Sequence, residues 1–218
     1  MHAHTQETRD SLLPADALRI LKEGNARFVA NSRANRDLLQ QVSETGDGQF
    51  PFAAVLSCID SRTSAELVFD QGLGDIFSVR IAGNFLNDDI LGSLEFACHV
   101  AGARLILVLG HSRCGAIKGA CDGVELGHLT GMLSKIRPAV DAVEQPTDAS
   151  SRTSANGEFV EAVAAENVRR VVEAIPKRSQ ILGEMKSSDA IDIAGGFYDV
   201  TDGSVKFLPV PSSASGGS

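Results

Sequence analysis

Apolar positions along this chain follow two rhythms. "FAAVLS" (52–57), "IFSVRI" (76–81) and "RLILVLG" (104–110) are short, nearly unbroken apolar runs rich in β-branched residues, as in strands buried on both faces of a parallel sheet. Elsewhere the apolar residues recur at helical spacing. "PADALRILKEGNARFVANS" has Pro14 near its start and Leu18, Leu21 and Ala26 with Phe28 and Val29 beyond, which predicts an amphipathic helix that docks on the rest of the molecule. "SAELVFDQ" and "DDILGSLEFACHVAG" read as helices between the strands. A longer helical region follows in "LGHLTGMLSKIRPAVDAV" and "EFVEAVAAENVRRVVEAI", divided by the polar loop "EQPTDASSRTSANG". Alternating strands and helices predict right-handed crossovers and an α/β layered fold. Near the end, "AIDIAGGFYDV" and "SVKFLPV" read as a strand, a glycine-rich bend and a further strand. The tail "PSSASGGS" reads as disordered.

Composition narrows the function classes. A chain of 218 residues suits one α/β domain, taken as residues 1–210 with an N-terminal helical arm, ahead of the tail at 211–218. Hydrophobic and charged contents of 43% and 22% exclude disorder of the whole chain. The formal charge of -8 argues against nucleic acid as a partner, since phosphate backbones are bound by clustered Lys and Arg. The longest apolar run, "LILVL", is too short to span a membrane. The start lacks a basic segment followed by an apolar one, so a cytoplasmic location is expected. Four cysteines (Cys58, Cys98, Cys114, Cys121) do not make a disulfide framework in a chain of this size.

Two of those cysteines sit where chemistry collects. Cys58 lies at the carboxyl end of the first strand, and His111 just past the end of "RLILVLG"; in an open α/β sheet the crevice outside those ends holds the functional groups. Cys114, three residues after His111, stands in the turn that opens the helical pattern "CGAIKGAC". Convergence of the three gives two thiolates and an imidazole, a borderline-soft set suited to Zn2+. Three protein ligands leave one tetrahedral position for water, whose pKa such an ion brings to about 7. In "CIDSR", Asp60 and Arg62 follow Cys58 at period two, so all three share a side if the strand continues, and the carboxylate accepts the guanidinium in a bidentate pair. Arg62 then holds Asp60 beside the metal water. With that pair open, the carboxylate is free to swing onto the metal as a fourth ligand. Cys98 and Cys121 read as buried helix residues, His99 and His128 as helix-surface residues, and His2 and His4 as part of an untethered end.

"CIDSR" followed by "HSRC", with "GDIFSVRIAGN" between, resembles the β-class carbonic anhydrases. The likeness runs from "LKEGNARF" through "GHSRCGAIKG" to "AIDIAGGFYDV" and so covers most of the chain. It implies an enzyme with one Zn2+ per chain that interconverts carbon dioxide and bicarbonate. Cys58, His111 and Cys114 would be the ligands, with Asp60 and Arg62 as the catalytic pair. It also implies a central four-stranded, mostly parallel sheet with flanking helices, a homodimer as the minimum unit with a tetramer left open, and an active site at the dimer interface. The plant-like subgroup is indicated by Gln49, expected to reach substrate from the partner subunit, and by the lack of tryptophan, since Val55 stands where the bicarbonate-inhibited subgroup has Trp. Phe77 and Phe96 match positions that wall an apolar pocket, and the Gly115 N–H one that orients a metal-bound anion. Ile81, where the family commonly has Asn, and Ser64, where it often has Pro, depart from the pattern. The rivals are hydrolysis of carbonyl sulfide or carbon disulfide on the same site, and a thiol redox or zinc-storage protein using Cys58 and Cys114.

Overall fold

A computed structural model describes residues 1–208; the tail at 211–218 lies outside the described residues. From the N-terminus, α1 (Gln6–Asp10), α2 (Pro14–Val29) and α3 (Leu38–Glu44) precede β1 (Ala53–Ser57). A single turn, α4 (Ala65–Val68), leads to β2 (Ile76–Arg80), and α5 (Asp88–Glu95), prolonged by a π-turn at Phe96–Val100, leads to β3 (Leu105–His111). Next come α6 (Gly115–Cys121), α7 (Gly127–Leu133), α8 (Arg137–Ala142), α9 (Gly157–Arg178) and α10 (Gln180–Ser187), then β4 (Asp192–Tyr198) and β5 (Val205–Leu208).

The strands form one sheet in the order β2-β1-β3-β4-β5. The first four are parallel, as expected, and β5 adds an antiparallel edge along β4. Every residue of β1 and β3 is buried, which explains their unbroken apolar runs: both faces of the sheet are covered. On one face Ala54, Leu56, Ile106, Val108 and Ile193 pack against Leu94, Val168, Val172, Ile175 and Leu182 of α5, α9 and α10. On the other, Val55, Leu105 and Leu107 meet Ala17 and Leu21 of α2 and Val68 of α4. The helix read over "PADALRILKEGNARFVANS" therefore docks on its own sheet. A third cluster around Ile117, Ile136, Phe159 and Val163 also contains Cys58 and Cys114.

Three local readings are corrected. Gly195 and Gly196 lie inside β4 and make no bend. A Cβ at Gly195 would stand 2.9 Å from Val168, and one at Gly110 of β3 2.6 Å from the same side chain; the glycines bring α9 close to the sheet. The helical reading across "LGHLTGMLSKIRPAVDAV" divides into α7 and α8, with Pro138 in the first turn of α8, where its missing N–H is harmless. The amino-terminal end is tied down: the Ala3 N–H donates to Glu44 at 2.9 Å, His2 pairs with the same carboxylate, and the His4 ring meets Phe52 edge-on at 5.2 Å. No helix among the described residues is long and apolar enough to cross a membrane.

Candidate metal centre

Neighbouring strands deliver the first two donors. Ser57 is in register with Leu109, so Cys58, one residue past β1, and His111, the last residue of β3, emerge at the same edge of the sheet. Cys114 caps the start of α6. The chain turns from His111 to Cys114 through Arg113, whose φ of 58° is left-handed, a conformation costing a non-glycine residue about 1 to 2 kcal/mol. Ser112 anchors this turn to β4: its N–H donates to the Tyr198 carbonyl at 2.9 Å and its Oγ accepts from the Val200 N–H at 3.0 Å.

The donors themselves are buried, with Cys58 at 4% exposure and His111 and Cys114 at 1% each. Their ligand atoms all lie within 4.8 Å of one another, the one such group of three among the described residues. The two sulfurs are 3.9 Å apart; tetrahedral zinc, with Zn–S near 2.3 Å, sets them about 3.8 Å apart. His111 Nδ1 donates to the Ser112 carbonyl at 2.9 Å, which leaves Nε2 as the lone-pair nitrogen, and Nε2 is buried with no hydrogen-bond partner. A buried acceptor left unpaired beside two thiols fits a cation. The hydrogen bond between the thiols pulls Cys58 down to about 4, while that bond and burial push Cys114 up. One thiolate forms readily, and a divalent ion supplies the charge that makes the second favourable, with release of its proton.

Beside the cluster, Arg62 Nε donates to Asp60 Oδ1 at 2.9 Å and a terminal nitrogen to Oδ2 at 2.8 Å, and the Arg62 N–H adds a bond to Oδ1 at 3.0 Å. The side-chain bond to Arg62 is the main reason that the Asp60 carboxyl lies well below the usual carboxylate range. So engaged, Asp60 is not among the three converging ligands. Arg80 and Thr63 hold the loop in place. Arg80 Nε donates to the Cys58 carbonyl at 3.0 Å and a terminal nitrogen to the Asp60 carbonyl at 2.7 Å; Thr63 Oγ1 reaches the same two oxygens at 3.1 and 2.9 Å. Arg80 thus braces backbone. Tyr198 is buried opposite His111 in register; burial raises its pKa, and the charges of Arg62 and Asp60 act on it in opposite directions.

A family model described as "Carbonic anhydrase" matches residues 53–205. Carbonic anhydrase 2 of Mycobacterium tuberculosis is 35% identical over 191 residues, 87% of this chain and 90% of the relative. A carbonic anhydrase of Mycolicibacterium smegmatis is 35% identical over 196 residues, 88% and 92% of the two chains. Among solved structures, the β-carbonic anhydrase CafA of Aspergillus fumigatus superposes with a TM-score of 0.68 at 22% identity, covering 89% of each chain. This chain is a β-class carbonic anhydrase.

Within one chain, this carbonic anhydrase assembles only part of the expected site. Gly115, the first residue of α6, is adjacent to Cys114 and has open space around its Cα. Phe77 and Phe96 meet edge to face, ring centres 6.3 Å apart, in a groove along the edge strand β2 that Arg80 and Asp88 also line; the three metal donors do not line it. Gln49 is exposed on the loop ahead of β1. Cys98 and Cys121 are buried and His99 and His128 exposed, as read from their helical patterns.

Proposed function

We propose that this carbonic anhydrase holds one Zn2+ on Cys58, His111 and Cys114 and reversibly hydrates carbon dioxide to bicarbonate and a proton there. The observation that carries the reading is the buried, unpartnered Nε2 of His111 facing two thiols, next to a carboxylate locked by a guanidinium. When bound, zinc supplies a Lewis acid that ionises water near neutral pH. The rest is work for the chain. Arg62 occupies Oδ1 of Asp60 twice and Oδ2 once, so Oδ2 keeps a lone pair to accept a hydrogen bond and thereby orient the nucleophile toward a small linear electrophile. Ionised across the neutral range, Asp60 acts as an acceptor. The Gly115 N–H steadies the anionic product and Gln49 reaches in from a second copy; Phe77 and Phe96, whose groove the donors of the same chain do not line, wall a pocket for an uncharged substrate where two copies meet.

That division of labour makes a homodimer the minimum unit. Its support is the apolar surface one chain leaves uncovered: Leu38, Leu39 and Val42 of α3 and Phe96 are each more than half exposed, which on a soluble protein marks an interaction face. The solved β-carbonic anhydrases of Sordaria macrospora, 23% identical with a TM-score of 0.66 over 76% of this chain and 84% of theirs, are described as tetrameric. The four free cysteines suit a reducing compartment such as the cytoplasm. The test is stopped-flow carbon dioxide hydration from about pH 6.5 to about pH 9 on protein whose zinc has been counted. One zinc per chain and activity rising with pH are expected; full zinc with no hydration anywhere in the range overturns the reading.

A further inference from the structure

Asn167 is a buried polar residue in the middle of α9, 4% exposed, on a helix whose other inward positions are almost all apolar. Burying a carboxamide is unfavourable unless it bonds, and its Nδ2 does so once, donating to the Gly83 carbonyl at 2.9 Å. Gly83 is no ordinary acceptor. Its own N–H donates to Cys58 Sγ at 3.3 Å. The residue takes a φ of 77°, and a Cβ there would stand 2.5 Å from Ile136 and 3.2 Å from Ala116, so the strap needs glycine both for its turn and for room. Its neighbour Asn84 is also left-handed, with φ of 40°. The strap is the turn Ile81–Asn84, closed by its own hydrogen bond from the Asn84 N–H to the Ile81 carbonyl at 2.9 Å, and Asn167 ties that turn to α9.

We infer that Asn167 is a positioning residue for the Cys58 ligand: by holding the Gly83 carbonyl it fixes the strap whose N–H points at the Cys58 sulfur. The inference rests on the reading of Cys58 as a metal ligand and adds to it a partner from a distant helix. A hydrogen bond to a ligating thiolate withdraws electron density from sulfur and limits its rotamers, and outer partners of this kind change metal affinity by about 10- to 100-fold. Among the described hydrogen bonds Asn167 reaches neither the metal donors nor the Asp60–Arg62 pair directly, so its effect is exerted through the strap and the sulfur.

The test compares Asn167→Leu, of similar volume without a donor, and Asn167→Asp with Val172→Ala, a core truncation one turn and a half along the same helix. Zinc affinity is measured by competition with a chelator, and the sulfur-to-metal charge-transfer band is recorded on cobalt-substituted protein. Both Asn167 variants are expected to bind zinc at least about 10-fold more weakly and to move the cobalt band to longer wavelength, as a sulfur without its hydrogen bond gives up charge more easily. Val172→Ala is expected to melt earlier and to change neither. Unchanged affinity and band in the Asn167 variants overturn the inference, as does an equal loss of affinity in Val172→Ala at matched melting temperature. If the unsubstituted protein binds neither zinc nor cobalt at Cys58, the zinc reading fails instead.

Discussion

Arg62 acts on Asp60 in two ways: it keeps the carboxyl ionised, and its two-point grip fixes the direction of the lone pair that Oδ2 retains. Arg62→Ala is therefore expected to lower turnover by at least about 100-fold while zinc stays bound at one per chain, as measured by stopped flow beside metal analysis. Loss of zinc in the same variant would place Arg62 in the scaffold. The donors and this pair were legible in the sequence because two short segments carry them, each at the end of an apolar run. Arg80 and Thr63 were not, because backbone carbonyls are their targets and no spacing of residue types reveals a carbonyl. Asn167 was hidden for another reason: a polar residue in an amphipathic helix looks like part of the solvated face.

At the scale of elements, α2 lies against α4 closely enough that a Cβ at Gly24 would stand 1.8 Å from the Phe69 carbonyl oxygen. Asn25 beside it donates to the carbonyls of Val68 and Gly203 and accepts from the Val205 N–H, joining α2 to the β4–β5 turn. Gly24→Ala is expected to cost about 1 to 3 kcal/mol, measured by urea denaturation, with zinc stoichiometry unchanged in the folded fraction. The link from α2 to α3 hangs on Asp70. Burial opposes its ionisation, but hydrogen bonds from Arg27, the Ala34 N–H and Arg36 outweigh that and lower its pKa. A depressed carboxylate stabilises the fold fully above its unfolded value of about 3.9 and ceases to do so as pH falls through the lower folded value. Hydrogen exchange in residues 30–37 should thus be insensitive to this group between about pH 8 and about pH 5 and should rise only in stronger acid. Asp70→Asn should bring the same loosening at neutral pH and cost about 3 kcal/mol; unchanged exchange there would refute the tie. Of these elements, β1, β3 and α2 were legible because their apolar rhythm is their burial. The turn at Gly195 and Gly196 was misread because glycine usually punctuates a chain; in β4 its smallness serves a neighbouring helix.

For the whole molecule, the division between one chain and two is the open side of the site. Cys58, His111 and Cys114 converge within a single chain and Asp60 pairs with Arg62 there, whereas Gln49 stands exposed and Phe77 and Phe96 line the outer edge at β2. No sequence pattern within one chain reports a contact between two. Dilution below the dissociation constant of the proposed dimer is expected to lower specific activity while zinc stays bound, with sedimentation velocity following the same midpoint; activity that is constant per chain across that transition would make the monomer sufficient. The glycines under α9 carry a further consequence. Val168, the side chain that Gly110 and Gly195 make room for, is the residue next to Asn167. A methyl group added at either glycine meets the Val168 side chain, and is expected to press that stretch of helix away from the sheet and strain the bond from the amide to the Gly83 carbonyl. In a genetic screen, such lesions would be scored as metal-site alleles although they lie well inside the sheet, and revertants would be sought at residue 168, where a smaller side chain restores the space.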